Sequence, residues 1–216
     1  MSINNLLNDK SVFIFDFDGV LVDSIEIKTT AFAFLYKEYG DNIVKRVVNH
    51  HMLNGGISRY EKFKHYHNYF LNVDINEKEI NRLDKLFSKF VINKVVKANE
   101  IDGAKQFLNK KYLKNNLYIN SATPQIEILE IIKRKGWVKY FKKIYGSPKS
   151  KIANLEAILN YEDNISKNDC VFFGDAESDY KAANKLGIDF ILLRTSNMIL
   201  PFTNKIQYDM RNFIGL

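Results

Sequence analysis

Residues 11–15 are Ser11, Val12, Phe13, Ile14 and Phe15, and this apolar run ends in Asp16, Phe17, Asp18 and Gly19. So short a run of Val, Ile and Phe reads as a strand buried on both faces. Strand side chains alternate, so Asp16 and Asp18 would point the same way if extended backbone continued. Gly19 then lets the chain leave the sheet. Carboxylates at the carboxyl end of a buried strand stand where open α/β sheets bind their ligands. Two acids that merely end a strand are the plain alternative, and matching partners further along weigh against it.

Those partners emerge when the chain is followed in order. Ile25 to Tyr39 carries Ile27, Ala31, Phe34 and Leu35 at helical spacing, and Gly40 stops it. A second helix is expected over Asn42–Leu53, followed by a break at Gly55 and Gly56. Ser58 and Glu61 have capping-box spacing and open a helix to about Phe70. Asn76 and Glu79 start another, with Ile80, Leu83, Phe87, Phe90 and Val91 on one side. Residues 25–97 therefore read as an all-helical insertion. From about Asn99 the texture changes to alternating strands and helices. Strands are expected at Asn116–Asn120, Lys143–Gly146, Asp169–Gly174 and Asp189–Leu193, and Pro124 suits a first helical position. Alternation of this kind implies a parallel sheet with right-handed crossovers. The tail from Pro201 to Leu216 carries no clear pattern.

Four strand ends then bring polar groups to one sheet edge: Asp16 and Asp18, Ser121, the loop holding Lys149 and Lys151, and Asp175. Carboxylates alone would repel a phosphate, but a hard cation held by Asp16 and Asp175 reverses the local field. A lysine and a helix N-terminus complete an anion site. The set makes sense for metal-assisted phosphoryl transfer. For the lysine, apolar Ile152, Leu155, Ile158 and Leu159 favour a helix from about Ser150 with Lys151 at its mouth, and Lys149 stays the alternative.

Composition bounds the setting. The 216 residues carry 32 Lys+Arg against 25 Asp+Glu, a net charge of +7, and one cysteine, Cys170, inside an apolar run. A single cysteine excludes an internal disulfide and a cysteine zinc site, and Cys170 reads as core. The lysines are scattered, as solvated helix faces are, so nucleic acid is not expected as a partner and small anionic substrates are. Met1–Lys10 is polar with no signal-peptide apolar region, and no stretch reaches the length of a membrane span. A cytoplasmic protein without membrane contact, monomeric or weakly dimeric, is the expectation. His50, His51, His65 and His67 sit at spacings that do not share a helix face, so they read as ordinary polar positions. His51 lies close enough to the glycine loop to face the site. Trp137, Tyr140 and Phe141 read as core.

The run from Phe15 to Ser24 resembles motif I of the haloacid dehalogenase (HAD) superfamily. Ser121, Ala122 and Thr123 resemble motif II, Lys151 or Lys149 motif III, and the stretch from Phe173 to Asp179 motif IV. The helical insertion directly after motif I is similar to the C1 cap of the phosphoglycolate phosphatase and β-phosphoglucomutase branch. The resemblance implies an α/β Rossmannoid three-layer core with a parallel sheet, formed by residues 1–24 and 98–216, and an inserted helical cap over 25–97. It implies Asp16 as nucleophile through an aspartyl-phosphate, and Asp18 as general acid and base. Mg2+ would be held by the Asp16 carboxylate, the Asp18 carbonyl and Asp175, with Asp179 in support. Ser121 and the Ala122 N–H would hold the phosphoryl oxygens, and Lys151 would neutralise them. Asp179 as an ordinary polar helix residue is the alternative. Gly56, Ile57, Ser58 and Arg59 resemble a cap loop of β-phosphoglucomutase, which makes Arg59 a candidate grip for a distal anionic group, helped by Lys62. The implied activity is a phosphatase acting on a small phosphorylated metabolite, a sugar phosphate or a phosphoglycolate-like acid. A phosphomutase is the alternative, although Gly174 stands where mutases have a second acid. A catalytically silent binding protein of the same fold is the other.

Overall fold

β1, Val12–Phe15, has all four side chains buried, and in a computed structural model of the chain it lies inside the sheet with a neighbour on each side. The description covers residues 2–161, 165–194 and 201–216. Phe13 and Phe15 point to one face of the sheet and Val12 and Ile14 to the other, as a period of two requires. That double burial is why the strand is apolar throughout.

Among the described residues the sheet has six strands in the order β3-β2-β1-β4-β5-β6, with every adjacent pair parallel. The strands are β1, β2 (Asn116–Pro124), β3 (Lys143–Ser147), β4 (Cys170–Gly174), β5 (Asp189–Leu193) and β6 (Tyr208–Met210). The helices are α1 (Ile3–Asn8), α2 (Ile25–Tyr36), α3 (Asp41–Leu53), α4 (Arg59–His65), α5 (Glu77–Lys97), α6 (Ala104–Lys111), α7 (Gln125–Arg134), α8 (Lys151–Leu159) and α9 (Glu177–Leu186). α8 and α9 bring Leu155, Ile158, Ala182 and Ala183 against Val12 and Ile14. α6 and α7 bring Phe107, Leu108, Ile128 and Ile131 to the face that holds Phe13 and Phe15. Helices on both faces of a parallel sheet make the three-layer α/β architecture expected from the alternation. Trp137 and Tyr140 are buried on the α6/α7 side, and Cys170 is buried on the other.

Caps behave as the residue types predict. Ser58, Asn76 and Ser150 each accept a hydrogen bond from the backbone N–H three residues on, opening α4, α5 and α8. α4 runs directly into a π-helical turn over Tyr66–Leu71, so the helix started by Ser58 reaches about the expected end. Pro124 differs from expectation: β2 continues through it, and α7 begins at Gln125. Two elements had no clear signal in sequence, the six-residue α1 and the three-residue β6.

Helices α2–α5 all lie between β1 and β2 in the chain. The chain leaves and returns at one place: Asp23 N–H donates to the Asn99 carbonyl at 2.9 Å, and Ile101 N–H donates to that of Leu21 at 3.1 Å. Phe32, Phe63, Tyr66, Phe87 and Val91 are buried between these helices, and α5 packs on α7. The sheet's carboxyl edge and this helical block face one cavity of about 180 Å3.

Candidate active site

At the end of β1 the Asp16 N–H still donates to the Phe173 carbonyl of β4, at 2.9 Å, which fixes the first carboxylate at the sheet edge. Asp16 is buried, and its Oδ1 accepts the Phe17 N–H at 2.6 Å. Its Oδ2 accepts from Lys151 Nζ at 2.6 Å, and Lys151 also donates to Asp179. Lys151 is the first residue of α8, directly after the Ser150 cap, and its carbonyl accepts from Asn120 Nδ2 at 2.9 Å. Asn154 Nδ2 in turn donates to Asn120 Oδ1. This buried amide pair locks the mouth of α8 to β2. Lys149 is exposed, so of the two candidate lysines it is Lys151 that meets the acids.

Asp179, fully buried at the start of α9, accepts the Ala176 N–H with its second oxygen, at 3.2 Å. Gly174 is required beside it, because a Cβ there would stand 2.3 Å from the Asp179 Cβ. Oxygens of Asp16, Asp175 and Asp179 all lie within 4.8 Å of one another. Burial alone would lower the Lys151 ammonium, but Asp16 and Asp179 outweigh it and hold it above the ordinary lysine range. Asp175 is raised well above the ordinary carboxylate range, first by burial and then by Asp16 and Asp179. Among the described residues no cationic side chain pairs with it within 4 Å. With all three carboxylates ionised, the one ammonium would leave two negative charges unmatched. Hard oxygen donors with that excess charge fit a divalent cation such as Mg2+.

Asp18 points away from this cluster. Its Oδ1 accepts from Ser24 Oγ at 2.6 Å, and its Oδ2 accepts from Thr123 Oγ1 at 2.9 Å and from Lys28 Nζ. Lys28 also donates to Thr123 Oγ1, at 2.7 Å. Burial would raise the Asp18 carboxyl, yet Lys28, with the hydroxyl bonds, holds it below its ordinary value. Ser121 is buried with its Oγ accepting the Thr123 N–H, and Ala122 lines the cavity next to Asp16 and Asp18.

Arg59 departs from its expected place. It lines the cavity, but its guanidinium is held at 2.6 Å by Asp84 and at 2.6 Å by Glu127, with Ser88 bridging to the same Glu127. Two carboxylates against one guanidinium leave that corner negative, so it would repel a distal phosphate rather than grip it. The correction has a plain cause: Glu127 on α7 and Asp84 on α5 are far from Arg59 in sequence, and nothing in the local motif announces them. Sequence reasoning also passed over Lys28. Its signal was present, since Ser24 and Lys28 are one helical turn apart and share a face. His51 does line the cavity, and Lys62 Nζ lies 2.8 Å from its Nδ1. His50 and His65 stack on each other with ring centres 4.1 Å apart and form no metal cluster among the described residues.

A family model described as haloacid dehalogenase-like hydrolase matches residues 13–193, from β1 through β5. The chain belongs to that HAD-like family. Its match runs across every strand end that carries a site residue. Solved structures of the same fold include a β-phosphoglucomutase from Clostridium difficile, with TM-score 0.72 at 19% identity over 94% of this chain and 92% of that one. A protein described as a predicted phosphoglycolate phosphatase from Haemophilus somnus gives TM-score 0.72 at 15% identity over 95% of each chain. YfnB of Bacillus subtilis, a HAD-type protein solved bound to magnesium, gives TM-score 0.69 at 16% identity over 94% of this chain and 95% of that one. No curated protein sequence gave a significant match. Likeness at these identities is likeness of HAD fold. Among the described residues no helix is long and apolar enough to cross a membrane.

Proposed function

We propose that this HAD-family chain is a Mg2+-dependent phosphomonoester hydrolase that works on a small phosphorylated metabolite through an aspartyl-phosphate on Asp16. The observation that carries the reading is the meeting of Asp16, Lys151, Asp179 and Asp175 at one sheet edge, with Asp18 beside them in a shared cavity. Helices α2–α5, over residues 25–97, act as a cap on a core made of 1–24 and 98–216. Closure keeps bulk water from the first transfer.

In the first half-reaction an Asp16 oxygen attacks phosphorus, and the ester oxygen departs with a proton delivered through Asp18. Lys28, Ser24 and Thr123 orient Asp18 for that transfer. In the second, Asp18 as carboxylate takes a proton from the attacking water, which displaces phosphate from Asp16. Lys151 faces the charge that builds on the phosphoryl oxygens, and Ser121 with the Ala122 N–H orients them. Asp16, the Asp18 carbonyl and Asp175 would hold the metal, with Asp179 in support. Bound there, the ion supplies positive charge that lets a phosphate approach carboxylates.

The test is phosphate release from a panel of small phosphomonoesters with and without Mg2+, wild type beside Asp16→Asn. Release that needs the metal and falls by roughly a thousandfold or more in Asp16→Asn, with melting temperature little changed, is the expected result. An isomeric phosphate formed without phosphate release would replace hydrolase by mutase. Release undiminished in Asp16→Asn would overturn the nucleophile.

A further inference from the structure

One buried cation in the cavity takes no part in the chemistry above. Lys62, on α4, is 2% exposed, and its only hydrogen-bond partner among the described residues is His51 Nδ1, at 2.8 Å. The Phe32 ring lies 5.6 Å from its Nζ, and the His51 ring packs on Phe32 with centres 4.7 Å apart. Among the described residues no carboxylate comes within ion-pair distance of it. An ammonium buried this far without a counter-ion is costly, and a chain that needed only packing there would carry Met or Leu.

Its neighbour Arg59, three residues earlier, is different in kind. That guanidinium already has the charges of Asp84 and Glu127 against it and a hydrogen bond to Ser88, so its charge is matched without a ligand. Lys62 and His51 both line the cavity that holds Asp16 and Asp18. The charged groups facing Lys62 are, in order of their effect, Lys28 from α2, Asp175 after β4 and Lys151 from α8. Two of the three are cations. Burial first, then Lys62, hold His51 far below its ordinary value, so the imidazole is neutral. A neutral ring that accepts from Lys62 at Nδ1 carries its proton on Nε2, which adds a second donor.

We propose that Lys62 and His51 form a receiving site for a carboxylate on the substrate, at the opposite end from the phosphoryl group. The proposal rests on the phosphatase reading of the same cavity and names its substrate class: phosphorylated small acids. A carboxylate fits better than a second phosphoryl group, because the site offers one ammonium and a doubly charged group would stay half matched. A cavity of about 180 Å3 also leaves room for only a short linker. The missing counter-ion of Lys62 thus arrives with the substrate.

The experiment is calorimetric binding to full-length Asp16→Asn protein with Mg2+, which blocks turnover. Two matched pairs serve as probes: 3-phosphoglycerate against glycerol 3-phosphate, and 2-phosphoglycolate against 2-hydroxyethyl phosphate. Each pair differs by a carboxylate in place of a hydroxymethyl group. The acid of at least one pair should bind about tenfold more tightly, the worth of one charge-assisted hydrogen bond. Adding Lys62→Met should bring the two within about twofold, and Lys62→Arg should restore part of the preference. His51→Phe, which spares the ammonium, should reduce it less, and it decides the matter if Lys62→Met fails to fold. Equal affinity in both pairs, or a preference that survives Lys62→Met, overturns the proposal. An acid preference in a protein that releases no phosphate would leave this site standing and sink the phosphatase reading. Phosphate release with no acid preference would do the reverse.

Discussion

Lys28 sits one helical turn after Ser24, and both side chains reach the same Asp18 carboxylate. A third donor, Thr123 Oγ1, comes from β2 and is itself bonded to Lys28. Asp18 is therefore oriented by α2 as much as by the strand that carries it. Lys28→Met should lower kcat by about tenfold or more, a share of what a placed acid–base group contributes, with a smaller change in KM. Lys28→Arg should recover part of kcat. Steady-state kinetics on any accepted phosphomonoester decides it, and an unchanged kcat would show that Asp18 needs no such support. At this scale legibility followed sequence distance. Asp16, Asp18, Ser121 and Asp175 could be placed because strands that end in polar residues converge by topology alone. Lys151 over Lys149 followed from the periodicity of Ile152, Leu155, Ile158 and Leu159. Arg59 could not be read, because its partners Asp84 and Glu127 are set by packing of α5 on α7.

Among the elements, α4 is tied to the rest by a charged side chain. Arg59 joins it to a half-buried Asp84 on α5 and to a buried Glu127 on α7. The loop before α4 rests on the other side of the cavity. Gly56 has φ +71°, and a Cβ there would come within 2.1 Å of Ser178 Oγ and 3.0 Å of Lys151 Nζ. Ser178 Oγ also donates to the Gly55 carbonyl at 3.2 Å. So α4 is anchored to both walls of the site. Arg59→Met would leave the buried Glu127 and the half-buried Asp84 without their cation. It should destabilise the fold by about 3 kcal/mol in urea unfolding, and Arg59→Met with Glu127→Gln should regain part of that. A cost below about 1 kcal/mol would mean the pair is replaced by water. Long elements with strong periodicity, such as α5, were legible from end to end. α1 and β6 were not, because six or three residues are too few to display a period.

For the molecule as a whole, the charge of Lys62 couples ligand binding to stability. Burial first, then Lys28 and Lys151, push its ammonium from an ordinary 10.5 down to about 7. Between those two values the unfolded chain holds a proton that the folded chain has released, so stability from this site rises with pH across that window. The burden is greatest below pH 7, where the folded protein must bury the charged form. Lys62→Met should therefore raise the melting temperature at pH 6, and the gain should shrink by pH 9. A gain that does not vary with pH would mean that Lys62 titrates like an exposed lysine.

The helical block departs and returns through two backbone hydrogen bonds, Asp23 to Asn99 and Ile101 to Leu21. The strand that carries Asp16 is thus closed off before the block begins, and the sheet never has to be rethreaded to accommodate what lies between. On the division proposed above, residues 25–97 are a handle plugged into the scaffold at that socket. Exchanging the handle for another of different length should leave strand pairing untouched. The cross-ties that run from the handle to the scaffold, among them Lys28 to Asp18, Arg59 to Glu127 and the Gly55 carbonyl to Ser178, would need to be matched anew. A lineage could then vary what is recognised by rewriting one continuous stretch of gene, while the carboxylates proposed to do the chemistry stay where they are.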